Sequence, residues 1–151
     1  MASGAFTSAG TTIGIASGDP TSYDQTGFES LTFDLIGEVT DLGEFGREYS
    51  LVTHNPLGDR QTVKRKGSYN DGSIAMTVAR VPDDAGQTLL QTALDSDDNF
   101  SFNVTLQDGT ELYFSAQVMS YTANVGTVDQ ITTASVTIEI TDEIIEVAPT
   151  P

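Results

Sequence analysis

A chain of 151 residues holds one ordinary domain, and a hydrophobic share of 38% is enough to give it a core. The absence of cysteine excludes disulfides, thiolate catalysis and Cys-ligated metal, and no apolar run is long enough for a membrane span or the h-region of a secretion signal. The formal charge of −16, from 22 acids against 6 bases, argues against ordinary nucleic-acid binding, which draws its affinity from clustered Lys and Arg. In chain order, residues 1–12 are small and polar apart from Phe6 and read as a flexible arm. A single β domain is expected over 13–143, opening with a short strand at Thr12 to Ile15. Leu31, Phe33 and Leu35 then alternate with Thr32 and Asp34, a period of two that predicts a half-buried strand. The stretch from Glu38 to Glu48 is Gly-rich and acidic. Leu42 and Phe45 stand isolated in it and suggest either a contact surface or a loop folded onto its own core.

Two further strands are predicted at Tyr49 to Thr53 and Val63 to Tyr69. The second places Lys64 and Lys66 on one face and Arg65 on the other. Charges on a strand guard an edge or meet an acidic neighbour, and in so acidic a chain an intersubunit salt bridge is the expectation. Ile74, Met76 and Val78 follow, and Asn70-Asp71-Gly72-Ser73 predicts a hairpin joining them to the preceding strand. After Pro82, Asp84 and Gln87 have the spacing of a capping box. Leu89, Leu90, Ala93 and Leu94 share one helical face, giving a helix over about 84–95. Phe100, Phe102, Val104 and Leu106 alternate with polar residues up to Asp108-Gly109, the signature of a two-residue hairpin turn. Leu112 to Val118 forms the return strand, and Ala134, Val136, Ile138 and Ile140 the closing one. Residues 144–151 read as a C-terminal tail, because Ala148-Pro149-Thr150-Pro151 cannot continue a strand.

Chemistry is sparse. Asp95, Asp97 and Asn99 occupy the first ligand positions of an EF-hand loop, but Phe100 stands where its glycine belongs and Leu106 where its bidentate acid belongs. His54 has no second histidine, no phosphate-binding glycine loop is present, and the many carboxylates form no activating constellation. The chain is expected to be no enzyme and to use neither cofactor nor metal.

The order of parts, with Lys66-Gly67-Ser68-Tyr69-Asn70-Asp71-Gly72-Ser73 followed by Ala79-Arg80-Val81-Pro82-Asp83-Asp84-Ala85-Gly86-Gln87 at the start of a lone helix, resembles the tail tube proteins of long, non-contractile-tailed bacteriophages. Those of gene transfer agents are similar. The resemblance implies a mainly β fold: a sandwich or barrel-like subunit with one flanking helix, whose copies close into an inner β-barrel. It also implies a virion tail protein, made in the host cytoplasm, that forms stacked hexameric rings and works with tape measure, tail tip and tail terminator proteins. Double-stranded DNA would pass without specific binding, and no membrane is involved. Six copies lending four strands each would close, at about 4.8 Å per strand and a tilt of roughly 40°, into a barrel about 48 Å across with about 35 Å of lumen. That admits a duplex about 20 Å wide.

On this reading six copies at −16 each carry −96, and an acidic wall repels DNA where a basic one would hold it. The lumen candidates are polar-face acids, Asp34, Glu38, Asp108, Glu111 and Glu139, with the hairpin pair Asp108 and Glu111 ranked first because the resemblance implies that the strands after the helix contribute to the inner wall. Leu42, Phe45, Arg47, Lys64, Arg65 and Lys66 are the candidates for contacts between subunits or rings. The competing reading is a carbohydrate-binding β-sandwich of a viral fibre or adhesin, for which Tyr113, Met119 and Tyr121 would share an exposed face. The lack of tryptophan weakens it.

Overall fold

The computed structural model describes residue 5 and residues 7–149; positions 1–4, 6, 150 and 151, the outermost parts of the expected arm and tail, lie outside the described residues. In chain order the elements are β1 (Thr12–Ala16), α1 (Gln25–Glu29), β2 (Asp34–Leu35), β3 (Val39–Asp41), β4 (Glu48–His54), β5 (Val63–Asn70), β6 (Ser73–Ala79), α2 (Ala85–Leu94), β7 (Phe100–Thr105), β8 (Glu111–Asn124), β9 (Thr133–Ile140) and β10 (Ile145–Val147). The architecture is mainly β, as expected. One antiparallel sheet runs β2-β1-β7-β8-β9-β6-β3, with β10 added to β8, while β4 and β5 pair only with each other.

The sheet curls because its two edge strands, β2 and β3, are neighbours in sequence. Between them Ile36 N–H donates to Ile13 O (2.9 Å), and Glu38 O accepts from Ala79 N–H (2.8 Å), so three residues bridge the β1 and β6 sides. Glu38 takes a φ of 60° to make this turn, a left-handed conformation uncommon outside glycine. The period-two residues of every long strand converge inside the curl. Ile13 faces Val104, Ile15 faces Phe102, Phe102 faces Phe114, Val118 faces Ile138, and Ile138 faces Ile74. All are buried.

Helix α2 lies on this apolar face, burying Leu90 and Ala93. Asp84 caps it, accepting from Gln87 N–H (3.0 Å), but the reciprocal half of a capping box is absent. The buried Gln87 amide instead donates to Gly37 O (3.0 Å) and Ala79 O (2.9 Å), and its oxygen accepts from Val81 N–H (2.9 Å). Asp84 also accepts from Gly37 N–H (3.1 Å). Two glycines make this approach possible: a Cβ on Gly86 would lie 2.3 Å from Leu35 O, and one on Gly37 would lie 2.8 Å from an Asp84 oxygen.

Residues 17–33, around α1, cover half of the opposite sheet face. Tyr113 is buried there beneath Phe28 (5.4 Å between ring centroids) and Phe33 (6.0 Å). Ser101 hydroxyl donates to Gly18 O (2.7 Å), and Ser115 hydroxyl donates to the Asp19 carboxylate. Tyr23 hydroxyl donates to Glu143 O (2.6 Å) and accepts from Ser115 N–H (3.1 Å). Burial pushes the Tyr23 phenol up to about 12, and burial together with a hydrogen bond to Glu111 raises that of Tyr113.

Several expectations are corrected. Asn70–Ser73 is a corner between sheets and makes no hairpin: β5 stays with β4, and β6 enters the main sheet between β9 and β3. The Asp108-Gly109 turn is not a two-residue one. Gly109 N–H reaches Leu106 O (3.0 Å), Leu106 N–H reaches Thr110 O (2.9 Å), and of the loop residues only Gly109 has positive φ. That is a three-residue loop ending in a left-handed glycine. The strand read at Leu31–Leu35 shrinks to Asp34–Leu35 after the unforeseen α1. Residues 145–147 form a strand on β8.

Two outcomes test these contacts. Gln87→Met keeps the side chain's volume but takes the partner from three partly buried backbone groups, and should cost about 1–3 kcal/mol in urea unfolding without loss of α2's Asp84 cap. In the unfolded chain the phenols ionise near pH 10, whereas folded Tyr23 keeps its proton to about 12. The folded state thus binds more protons in that window, so stability is undiminished below about pH 10 and falls as pH rises from there to about 12. Urea midpoints measured against pH should show this fall, and it should flatten in the Tyr23→Phe, Tyr113→Phe double variant.

Candidate functional site

Among the described residues, two surfaces are left without a covering layer. The first is the half of the sheet face that residues 17–33 do not reach, formed by β3, β6, β9 and the second half of β8. Strand pairing lines up its side chains in rows: Ser73, Glu139 and Gln117; Ala75, Thr137 and Ser120; Asp41, Thr77, Ser135 and Thr122; and Thr133 with Asn124. These residues are exposed or half-buried. The chemistry is hydroxyl and amide, with acid only at Glu139 and Asp41 and no base. Arg80 lies across the sheet, in a groove shared with Gln91 and Leu94 of α2.

This face is bounded by two open edges. Among the described residues, β8 from Gln117 to Asn124 pairs with β9 on one side and with no strand on the other, and β3 pairs only with β6. A bulge between Val118 and Ser120 makes the second half of β8 possible. The extra residue, Met119, reverses the side-chain parity, so Tyr121 turns to the interior and reaches Gln87 Oε1 (3.4 Å). Tyr113 is buried under α1. The tyrosine platform expected of a sugar-binding module is therefore not formed.

The second surface is the β4–β5 ribbon, exposed along almost its whole length. Leu51 is 66% exposed, Val52 52%, and Leu57 at the tip is fully exposed. An isolated two-stranded ribbon is marginal in water. This one is braced at its root by Tyr49 and Tyr69 (5.3 Å), with the Arg47 guanidinium 4.1 Å from the Tyr69 ring and Lys66 Nζ 4.7 Å from the Tyr49 ring. Opposite Ser50, β5 carries an additional residue at Gly67-Ser68, where a Cβ on Gly67 would lie 2.9 Å from Val52. The ribbon enters through Gly46 and leaves through Gly72, whose φ of 91° and approach to Gly46 O tolerate no side chain.

The structure separates the sequence candidates. Of the five acids proposed for the lumen, only Glu139 lies on the bare face. Asp34 pairs with Ile15 at the edge on the helix side, Glu38 sits in the β2–β3 bridge, and Asp108 accepts from Thr110 N–H at the β7–β8 turn. Glu111 accepts from Tyr113 hydroxyl beside the covered half. Leu42 and Phe45 pack on the chain's own core, Phe45 at 5.9 Å from Phe114. Arg47 bridges Asp71 (3.4 Å) and Glu143 (3.7 Å). Lys64, Arg65 and Lys66 lie on the ribbon and form no ion pair among the described residues. Sequence reading passed over Asp41, whose place on the face depends on the β3–β6 pairing. It also passed over the β8–β9 loop, where Val125, Val128 and Ile131 are exposed.

The family model of phage tail tube proteins (TTP) matches residues 3–149. No curated protein matches the chain. Among solved structures, the chain is similar to one from the six-fold symmetrised baseplate of the anti-feeding prophage (AFP), at 9% identity and a TM-score of 0.71 over 97% of both chains. It is also similar to one from the sheath/tube terminator of an extracellular contractile injection system (PVC), at 11% identity and a TM-score of 0.67, over 98% of this chain and 100% of the other. The SPP1 tail tube matches at 15% identity and a TM-score of 0.62, over 90% of this chain and 75% of the other. Identities this low establish a shared fold. Because Leu51 and Val52 are exposed on the ribbon, the Leu51→Ser, Val52→Ser double variant should shift the urea-unfolding free energy of the free subunit by no more than about 0.5 kcal/mol.

Proposed function

The chain belongs to the phage tail tube protein family, a structural component of the virion tail and not an enzyme, and from that premise we propose that six copies close into a ring, that rings stack into a hollow tube, and that DNA passes along the bare polar face during ejection. The observation that carries this reading is the four-stranded face with an open strand edge on either side. If the β8 edge of one copy from Gln117 to Asn124 meets β3 of the next, both open edges of this face find a neighbour and their edge hazard disappears by closure. Four strands per copy is the contribution that a barrel of about 48 Å requires of six copies.

The chemistry of the face suits a conduit. DNA carries one charge per about 1.7 Å of axis and is gripped by cations that displace its counterions. The proposed wall has none. Its hydroxyls and amides can exchange hydrogen bonds with water, and the rings of Glu139 and Asp41 repel the passing strand. The arm, the tail and the division of the chain at residues 13 and 143 belong to this proposal, with the segments outside the β domain becoming ordered between stacked rings. Tape measure, tip and terminator proteins would meet the ends of such a tube.

Concentrated purified protein should form uniform hollow tubes in negative stain, and a persistent monomer under every condition tried would overturn the reading. Glu139→Lys should leave the tubes intact while adding six cations per ring to the bore. DNA retention by variant tubes should then rise at least tenfold at low salt and fall steeply as salt is added. Unchanged retention would place Glu139 outside the channel.

A further inference from the structure

At the seam between β3 and the end of β7, an open groove of about 260 Å³ is lined by Val39, Leu42, Phe45, Val104 and Leu106. Val104 belongs to the core and the other four are half-buried against it, so the groove is a gap in the core's wall. The N-terminal arm borders this gap. Thr11 lines both this groove and its neighbour along the β2–β3 bridge, while Ser8 lines this one alone, so the chain followed back from β1 runs towards it. Three hydrogen bonds hold the arm on that course: Thr11 N–H donates to Ser8 O (3.1 Å), Ala9 N–H to the Thr7 hydroxyl (3.4 Å), and the Gln107 amide, one residue beyond Leu106, to the same hydroxyl (3.5 Å). Phe6 is next in sequence. It is the one aromatic side chain among residues 1–12, which hold no charged side chain.

We propose that in the free subunit Phe6 seats its ring in this groove of its own copy, against Leu42, Phe45 and Leu106, as the last member of the core. Reach and size allow it. Consecutive Cα atoms lie about 3.8 Å apart, so Phe6 is within about 8 Å of Ser8 at the rim. A cavity of about 150 Å³ accepts a benzene ring, and this groove is larger. With residues 7–11 already placed, seating orders one further residue, and the entropy lost is small against the apolar area gained. Charge selects the occupant. The exposed Leu57 and Val128 of a second copy would each bring an acid, Asp59 or Asp129, to a rim that holds Asp41, whereas the arm brings none. The inference concerns the subunit before any ring forms, so it stands or falls apart from the tube reading. One wall of the groove is β3 itself, from Val39 to Asp41, and a seated ring therefore steadies the strand whose outer edge is open.

The chain has neither tryptophan nor cysteine, so either residue introduced at position 6 is a unique probe. In monomeric Phe6→Trp the indole emission should be blue-shifted from that of the urea-unfolded chain and resist acrylamide quenching, and adding Leu106→Ser should move it back to the red. Emission from the folded monomer that matches the unfolded chain would overturn the proposal. A disulfide needs Cα atoms within about 7 Å, so the Phe6→Cys, Leu42→Cys double variant should oxidise within one copy, running as a monomer on a non-reducing gel with no free thiol left. Should Leu42→Cys fail to fold, Thr40→Cys on the exposed rim serves in its place. Disulfide-linked dimers would assign the groove to the arm of a second copy, and two surviving thiols would leave it without the arm; either result overturns the seating. As a further measurement, Phe6→Ser should raise the unfolding equilibrium constant of the free subunit about tenfold or more in urea titration. An unchanged constant would count equally against it.

Discussion

The contact on which the fold depends is the tie between the start of α2 and the bridge joining β2 to β3. Asp84 and Gln87 together hold Gly37, Ala79 and Val81 through backbone hydrogen bonds. Each of those groups is partly buried, so the loss of its partner would cost up to about 1–3 kcal/mol. The tie fixes where the helix lies on the apolar face and where the sheet's last strand turns back on its first. Gly37 and Gly86 are part of the same device, since a methyl group on either would meet atoms of the opposing segment. The Asp-Asp-Ala-Gly-Gln run at the helix start is therefore a cap, a close approach and an anchor in consecutive positions.

What this tie stabilises is a sheet with two different outer halves. Under α1, the period-two polar positions of β7 and β8 become Ser101, Tyr113 and Ser115, each buried and each given a hydrogen-bond partner. Beyond the bulge at Met119 the same periodicity yields Ser120, Thr122 and Asn124, which meet no covering layer. A face of small hydroxyls loses little by staying wet, so the free subunit tolerates its exposure. Most of the net charge lies away from this face, on turns and on the helix-side surface. The electrostatic character of a bore built from it would be set by Glu139 and Asp41, with more distant acids attenuated over a Debye length of about 8–10 Å.

Local patterning was legible in the sequence where one rule acted alone. The alternation in β7, β8 and β9 located strands and core-facing residues correctly, and the Asp84 cap with its apolar stripe located α2. Failures occurred where a long-range partner decided the outcome. Asn70–Ser73 has hairpin composition, but β6 pairs with β9 across the helix and β7–β8, which no turn signal encodes. Gln87 has the right spacing for a capping box, yet backbone groups at Gly37, Ala79 and Val81 compete for its amide and win. Tyr121 was assigned to the wrong face because an unbroken period of two cannot anticipate the extra residue at Met119. The acids on the polar face were read by alternation and ranked by the resemblance, which put Asp108 and Glu111 ahead of Glu139. Alternation separates faces but cannot say which half of a face a second layer covers, and Glu111 lies beside the covered half.

The ribbon shows the opposite relation between local and global information. Its strands were readable because Tyr49, Leu51, Val63 and Tyr69 suit a pleated surface, but a ribbon exposed on both faces makes poor sense in an isolated subunit. Leu51, Val52 and Leu57 gain nothing there, and Lys64, Arg65 and Lys66 find no acid among the described residues. Gly46 and Gly72 bring the two ends of the ribbon together in a backbone contact that would not survive a side chain at Gly72. The Arg47 pair with Asp71 and Glu143 binds that root to the segment leading into β10. A rigid root and an unpartnered shaft have different physical purposes. The first sets the direction in which the ribbon projects, and the second leaves Leu51, Val52 and Leu57 exposed to water. Placed beside open strand edges at β3 and β8, the ribbon gives the subunit two sets of groups that its own described residues leave uncovered.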